Sequence, residues 1–192
     1  CKAMVKLTAE RVSTDRTDNF VFQRSMLAYV EAAKRVGGRV LEIGTGSGYG
    51  IRTIAASANE FITIDKFRSA AVDNLPTNAS FCEAKVPPLP FDNEVFDCVV
   101  SFQVIEHIRN DKRFVSEVMR VLKPGGRFIV TTPNRTMSLT RNPWHVREYR
   151  PEQLKTLLSG FSSVECMGVG GNERVWQYYE KNRESVNRIM RF

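Results

Sequence analysis

The chain has 192 residues and carries 28 Lys or Arg against 21 Asp or Glu, which gives a formal charge of +7. Its composition, 42% hydrophobic and 26% charged, is that of an ordinary globular protein and excludes a disordered chain, a collagen and a disulfide-rich miniprotein. A chain of this length buries enough surface for one large core, so we expect a single domain. Its apolar runs are far shorter than the ~20 residues that cross a bilayer, and no signal-peptide pattern opens it, so we expect a soluble, cytoplasmic protein without membrane insertion.

Potential metal ligands and basic residues are scattered along the chain. The four cysteines are Cys1, Cys82, Cys98 and Cys166. They form no CxxC pair, which favours reduced thiols over disulfides or a zinc site. Because only two histidines exist, we expect no dedicated transition-metal site. The positive charge would suit nucleic acid or an anionic partner, but no run of five basic residues occurs, which favours a solvated mixed surface.

Apolar segments alternate with helical patterns. A first helix fits 19–36, where apolar residues recur at helical spacing: Phe22, Met26, Leu27, Val30 and Ala33. Strands are predicted at 39–43, 60–65, 79–83, 95–101, 126–132 and 162–169. Helices are predicted at 49–58, 66–74, 111–122 and 151–158, with a helical tail in 173–192. This alternation predicts a doubly wound α/β fold, in which a mostly parallel sheet lies between two layers of helices.

The predicted domain has a core at 38–170, preceded by a lid and helix at 1–37 and followed by a helical tail at 171–192. Two loops interrupt the alternation and are expected to carry specificity. One is the proline-rich loop 84–94, and the other is the basic, aromatic loop 133–150.

The strongest single motif is VLEIGTGSGYG, from Val40 to Gly50. A buried strand that ends in glycines and leads into a helix lets a ligand approach the backbone closely. The dinucleotide fingerprint fails because Tyr49 stands where its last glycine is required, which argues against an NAD-dependent enzyme. The next strand ends at Asp65, where a carboxylate accepts hydrogen bonds from a ribose in doubly wound folds, although a helix N-cap is the alternative.

Four ordered motifs resemble the class I S-adenosylmethionine-dependent methyltransferases, particularly the type 11 group. They are VLEIGTGSGYG, ITID, LPFDNEVFDCVVSFQVIEHI and VLKPGGRFIVTTPN, and they span about 38–134. The flanking segments LTAERVSTDRTDNFVFQR and NPWHVREYRPEQL are similar to bacterial members associated with glycan or cell-envelope biosynthesis. Such proteins usually complete the sheet with a seventh, antiparallel strand; because no segment here fits it, we expect that strand beyond Phe192 or an altered sheet edge.

The resemblance implies S-adenosyl-L-methionine as cofactor. Glu42 and the glycines would surround its methionine moiety, and Asp65 would hold the ribose diol. The full implied cofactor set is Glu42, Gly44, Thr45, Gly46, Gly48, Asp65, Lys66, Lys85, Val86, Ser101 and Gln103. Members of this family commonly carry an Asp where this chain has Lys85. A lysine ammonium offers the adenine amino group no hydrogen-bond acceptor, so we expect the backbone of Lys85 and Val86 to contact the base. Leu89 or Phe91 is expected to form an apolar wall of the adenine site or part of the core.

The segment SFQVIEHI lies at the tip of the fourth strand, where this fold places reactive groups. His107 is a candidate general base, and its alternative role is to cap or pack the next helix. His145 in the loop 133–150 is the alternative base, or a member of a purely structural loop anchored by Trp144. The candidate acceptor-binding residues are Phe22, Arg24, Trp144, Arg147 and Tyr149.

We therefore expect a methyltransferase acting on an oxygen or nitrogen of a small-molecule or glycan-type acceptor. The alternative is a binding module that has lost turnover. Lys85 and the missing final strand favour it. A nucleic-acid methyltransferase is disfavoured because the fourth strand ends in SFQV rather than in an Asn/Asp-Pro-Pro-Tyr-like motif.

Overall fold

A computed structural model describes residues 19–138 and 142–168, with side chains from residue 25 onward. Its helices and strands, in chain order, are α1 (Asn19–Ala33), β1 (Arg39–Ile43), α2 (Ile51–Ala55), β2 (Glu60–Asp65), β3 (Ala79–Glu83), β4 (Phe96–Phe102), α3 (Asp111–Val121), β5 (Leu122–Thr131) and α4 (Pro151–Leu157). Two 3₁₀ turns, Ala70–Val72 and Ile105–His107, follow β2 and β4.

The five strands form one parallel sheet in the order β3-β2-β1-β4-β5. β1 lies at the centre, where Val40 is opposite Phe61 of β2 on one side and Cys98 of β4 on the other. The chain runs outward from β1 to β3 and then returns to β4 on the far side of β1. This reversal makes the carboxyl ends of β1 and β4 the topological switch point, where ligands bind in open α/β sheets.

Both faces of the sheet are covered, which explains why β1 and β4 read as nearly continuous apolar runs. On one face, Tyr29 and Ala32 of α1 and Ile54 of α2 pack with alternate strand residues such as Val40 and Phe61. On the other face, the side chains come from α3, α4 and the proline-rich loop, among them Phe114, Val118, Leu154 and Leu89. The arrangement confirms the predicted doubly wound α/β/α fold.

The helix α3 shows why the carboxyl-terminal half folds as it does. The side chain of Asn110 caps it by accepting a hydrogen bond of 3.1 Å from the backbone N–H of Arg113. Phe114, Val115 and Val118 are buried at steps of one turn or less. α3 then passes directly into β5. This strand begins before the predicted residue 126, because Leu122 already pairs with Phe96. After an irregular stretch, regular pairing resumes between Arg127 and Cys98.

Two predictions about the first half of the chain are wrong. In the predicted helix 66–74, only the 3₁₀ turn Ala70–Val72 forms. Ser69 Oγ donates a hydrogen bond to the Gly46 carbonyl, and the Phe67 N–H donates one to Asp65. These bonds tie the segment to the edge of the sheet and replace helical hydrogen bonds. The buried face of α1 also differs from the predicted apolar face. Tyr29 is buried, whereas Leu27 is 43% exposed.

The predicted strand 162–169 is absent from 162–168, whose residues are mostly exposed and irregular. Within the described residues, β5 is therefore the edge strand on that side of the sheet. The predicted lid up to residue 18 and the helical tail 173–192 lie outside the described residues. Of the predicted reduced cysteines that are described, Cys82 and Cys98 pack in the core, but Cys166 is exposed.

Candidate active site at the carboxyl edge of the sheet

The glycine-rich loop after β1 lies at the switch point and is shaped by contacts with its neighbours. Gly44 has a φ of +96°, and a Cβ there would lie 2.3 Å from Cγ2 of Val104, which follows β4. Gly48 has a φ of +72° and would place a Cβ 2.4 Å from Cβ of Ala71. Both glycines therefore let the loop pack against the protein itself. Gly46, at φ +55°, meets nothing within 4 Å and faces open space.

Asp65 ends β2 beside this loop. Its Oδ2 accepts a hydrogen bond of 2.9 Å from the N–H of Gly46, and its Oδ1 accepts one of 3.3 Å from the N–H of Phe67. A carboxylate has about four acceptor positions, so each oxygen keeps a lone pair for a ligand. The structure thus brings the predicted ribose acceptor and the open glycine of the loop together.

Glu42 of β1 is buried under α1 and hydrogen-bonded on both oxygens. The hydroxyl of Tyr29 donates to Oε1 at 2.8 Å, and the hydroxyl of Thr63 donates to Oε2 at 2.6 Å. Thr45, also buried, pairs with Thr63 at 2.6 Å. Burial raises the pKa of Glu42 to about 7, although both hydrogen bonds oppose that shift. Sequence reasoning missed Tyr29, because only the helical rotation of α1 shows that its phenol reaches Glu42.

The remaining predicted cofactor residues divide into buried and exposed ones. Ser101 is buried, and its hydroxyl donates to the carbonyl of Ile43 at 3.3 Å, so it is used inside the sheet. Val86 packs against the core, whereas Lys66 and Lys85 are exposed. Gln103 adopts a left-handed φ of +56° at the tip of β4 and is exposed at the sheet edge, where its Nε2 donates to Thr131 Oγ1 at 3.2 Å.

The two histidines, which sequence reasoning weighed as alternatives, lie together. Their rings meet edge to face with centroids 5.0 Å apart. His107 is on the 3₁₀ turn after β4, and its Nδ1 lies 3.0 Å from the carbonyl oxygen of Trp144. His145 lies with its Nδ1 2.9 Å from Oε1 of Glu148. Burial raises the pKa of Glu148, but hydrogen bonds from His145 and Ser138 outweigh it and leave that pKa below its usual value.

Glu106 anchors the loop that carries His145. Its backbone carbonyl accepts hydrogen bonds from the N–H groups of Val146, at 2.8 Å, and Arg147, at 3.2 Å. Its carboxyl group is fully buried, with Oε2 accepting a bond of 3.0 Å from Thr132 Oγ1. Burial raises the pKa of Glu106 to about 7. Sequence reasoning gave Glu106 no role in the site.

The predicted acceptor residues are placed differently from one another. Trp144 is 54% exposed beside the histidine cluster. Tyr149 is buried, and its hydroxyl donates to Oδ2 of Asp111 at 2.9 Å; Arg147 pairs with the same carboxylate. These two residues therefore hold the loop against α3. Phe22 and Arg24 lie on α1, and their side chains fall outside the described part.

Comparison with known proteins indicates the family of this chain. Residues 41–130 match the family described as "Methyltransferase domain". A Mycobacterium tuberculosis protein named "Probable S-adenosylmethionine-dependent methyltransferase" is 38% identical over 87% of this chain, which spans 65% of that relative's length. A Mycolicibacterium smegmatis protein with a name of the same kind is 39% identical over 85% of this chain and 68% of the relative.

Among solved structures, the fold resembles that of the Burkholderia thailandensis 1,6-didemethyltoxoflavin-N1-methyltransferase with bound 1,6-didemethyltoxoflavin and S-adenosylhomocysteine. The TM-score is 0.65 at 17% identity, and the match covers 80% of this chain and 75% of the other. At that identity the likeness shows the fold alone. The sequence relatives carry the assignment further: the chain belongs to the S-adenosylmethionine-dependent methyltransferases.

Proposed function

We propose that the protein transfers a methyl group from S-adenosylmethionine to an oxygen or nitrogen atom of a small-molecule or glycan-type acceptor. The observation that carries the proposal is the pairing of Asp65, at the end of β2, with the N–H of Gly46, in the loop that leaves the switch point after β1. The family relationship supports the cofactor, because these proteins use S-adenosylmethionine. The described residues contain no helix long and apolar enough to cross a membrane.

The cofactor would bind across the carboxyl ends of β1 and β2. The ribose hydroxyls donate to the remaining lone pairs of Asp65, and the chain of the ligand passes over Gly46, where no side chain intrudes. The cationic amino group is attracted to Glu42 and reaches it through water or by displacing the hydroxyl of Tyr29. That contact would favour the ionised form of Glu42, whose pKa burial raises.

The acceptor would bind at the tip of β4, between the glycine loop and the loop that carries Trp144 and His145. The exposed face of Trp144 offers a sugar or other ring an apolar surface. In the transfer, a lone pair of the acceptor atom forms a bond to the methyl carbon while the carbon–sulfur bond breaks and its electron pair stays on sulfur. Most of the protein's contribution to such a reaction is orientation of the two reactants.

A transfer assay tests the proposal. The purified chain is incubated with S-adenosylmethionine carrying a labelled methyl group and with panels of sugars, glycolipid head groups, phenols and amines. We expect label in at least one hydroxylated or amine acceptor, and we expect the Asp65→Asn variant to lose that transfer. Binding of S-adenosylhomocysteine without transfer to any panel member would favour the binding module instead.

A further inference from the structure

Glu106, His107 and His145 form a compact set of potential metal ligands that sequence spacing does not reveal. One carboxylate oxygen and one ring nitrogen from each histidine all lie within 4.8 Å of one another. The set exists because the loop that returns after β5 binds the backbone carbonyl of Glu106 through the N–H of Val146. Residues that are 38 positions apart, His107 and His145, thereby become neighbours.

The hydrogen bonds of the two histidines define their tautomers. The partner of His107 Nδ1 is the carbonyl oxygen of Trp144, and a carbonyl only accepts. The partner of His145 Nδ1 is the carboxylate of Glu148. In the neutral form of each imidazole, these partners place the proton on Nδ1 and the lone pair on Nε2. Histidines that bind metals are held in this way, with the second nitrogen donating to a carbonyl or a carboxylate.

The carboxyl group of Glu106 is a second, independent observation that points to a ligand. Its Oε2 accepts from Thr132, but its Oε1 is buried and finds no hydrogen-bond partner among the described residues. Within the same residues no lysine or arginine forms an ion pair with it. A buried carboxylate oxygen without a partner is costly, and native proteins satisfy such groups with a donor or an ion.

We propose that Glu106, His107 and His145 bind one divalent first-row transition-metal ion, with Glu148 and the carbonyl of Trp144 orienting the two imidazoles. Two imidazoles and one carboxylate suit Mn²⁺, Co²⁺ or Zn²⁺, whereas Mg²⁺ and Ca²⁺ prefer oxygen ligands alone. The small number of histidines argued against a metal site, but in the structure both lie beside one buried carboxylate.

The proposed metal site lies next to the glycine-rich loop. The turn that carries Glu106 and His107 follows Val104, and the side chain of Val104 packs on Gly44. Three protein ligands leave coordination positions open. Its use in methyl transfer rests on the proposed function: an acceptor hydroxyl bound to the ion through oxygen loses its proton to water more easily. The oxygen then forms the bond to the methyl carbon, and sulfur keeps the electron pair of the broken bond.

Metal binding is measured on the chain without a histidine tag, after dialysis against a chelator. Co²⁺ is titrated by visible absorption and Mn²⁺ by electron paramagnetic resonance, and we expect one ion to bind per chain. His107→Ala and His145→Ala should each weaken the affinity by about 100-fold, and Glu148→Gln by about 10-fold to 100-fold. Glu152→Gln, a change of an exposed carboxylate on α4, should leave it unchanged.

Glu106→Gln provides a second route if the alanine variants do not fold, since it keeps the shape of the buried side chain and removes its charge; it should also weaken binding. The site is refuted if neither ion binds by about 1 mM, or if binding survives both histidine substitutions. Methyl transfer that continues after chelation would refute the role of the ion in activating the acceptor. Failure of S-adenosylhomocysteine to bind would instead refute the proposed function and leave the metal site standing.

Discussion

The phenol of Tyr29 donates a hydrogen bond of 2.8 Å to Oε1 of Glu42 and so joins α1 to the central strand of the sheet. Tyr29→Phe keeps the ring, which packs edge to face on Phe102 with centroids 4.6 Å apart, and removes only the donor. We expect the free energy of unfolding at about pH 8 to fall by about 1.5 kcal/mol, because a buried ionised carboxylate loses a partner.

Urea denaturation measures this loss, and a double-mutant cycle isolates its origin. In the Glu42→Gln background, the Tyr29→Phe change should cost clearly less, since the charge that the phenol stabilises is gone. Equal costs in both backgrounds would show that the bond between the two residues does not carry the effect.

The raised pKa of Glu42 predicts how stability depends on pH. Its pKa is about 7 in the folded protein against 4.5 without the fold, chiefly because of burial, with the charge of Asp65 adding to the rise. Between these values the folded state binds more protons than the unfolded state, so the free energy of unfolding decreases as pH rises through this window. The contribution of Glu42 to the free energy of unfolding, about 3 kcal/mol, is fully present below the unfolded pKa. It is lost as the pH rises above about pH 7.

Denaturation of the wild type and of Glu42→Gln between about pH 5 and about pH 8 checks this prediction. The difference between the two curves isolates Glu42 from Glu106, whose pKa is also raised. We expect the wild type to lose stability relative to the variant as pH rises. Two curves that stay parallel would contradict the prediction.

Gly46 and Gly125 form a matched pair for testing the glycine loop. Both have a left-handed φ, +55° and +77°, and at neither would a Cβ meet an atom within 4 Å. Alanine at either position should therefore cost about 1 kcal/mol of stability through backbone strain alone. Only Gly46→Ala should also weaken the binding of S-adenosylhomocysteine, by about 10-fold or more, because its methyl group enters the space proposed for the ligand.

Calorimetric titration of both variants separates strain from ligand contact. Equal affinities for Gly46→Ala and Gly125→Ala would show that the ligand does not pass over the loop.

Lys85 is exposed, at a position where the resemblance to the class I methyltransferases implies an aspartate. Lys85→Asp should strengthen the binding of S-adenosylhomocysteine by about 5-fold or more, since a carboxylate accepts a hydrogen bond from the adenine amino group and an ammonium does not. Lys112→Asp on α3 changes the net charge by the same amount and is the control. A similar gain in both variants would assign the effect to net charge.

The strands were the most predictable part of the fold. β1, β2 and β3 begin and end at the predicted residues, because each is an apolar run bounded by polar or glycine-rich segments. Asp65 and Gly46 were predicted to share the ligand edge because neighbouring parallel strands end side by side. Periodicity failed for 66–74, where hydrogen bonds to Gly46 and Asp65 replace helical ones.

Contacts between distant segments were not predictable. The hydrogen bond from Tyr29 to Glu42 depends on how α1 is rotated against the sheet. The spacing of apolar residues in α1 instead predicted that Leu27 lies on the buried face. The meeting of His107 with His145 depends on the backbone hydrogen bonds from Val146 and Arg147 to Glu106, which close a loop of about 40 residues. No local pattern in the sequence encodes either contact.

Calorimetric titration with S-adenosylhomocysteine tests the central claim most directly, with Asp65→Asn compared against the wild type and against Asp73→Asn, an exposed carboxylate paired with Arg68. We predict micromolar binding of one ligand per chain, weakened about 10-fold to 100-fold by Asp65→Asn and unchanged by Asp73→Asn. No heat of binding up to about 1 mM, or equal affinities in all three proteins, would contradict the account.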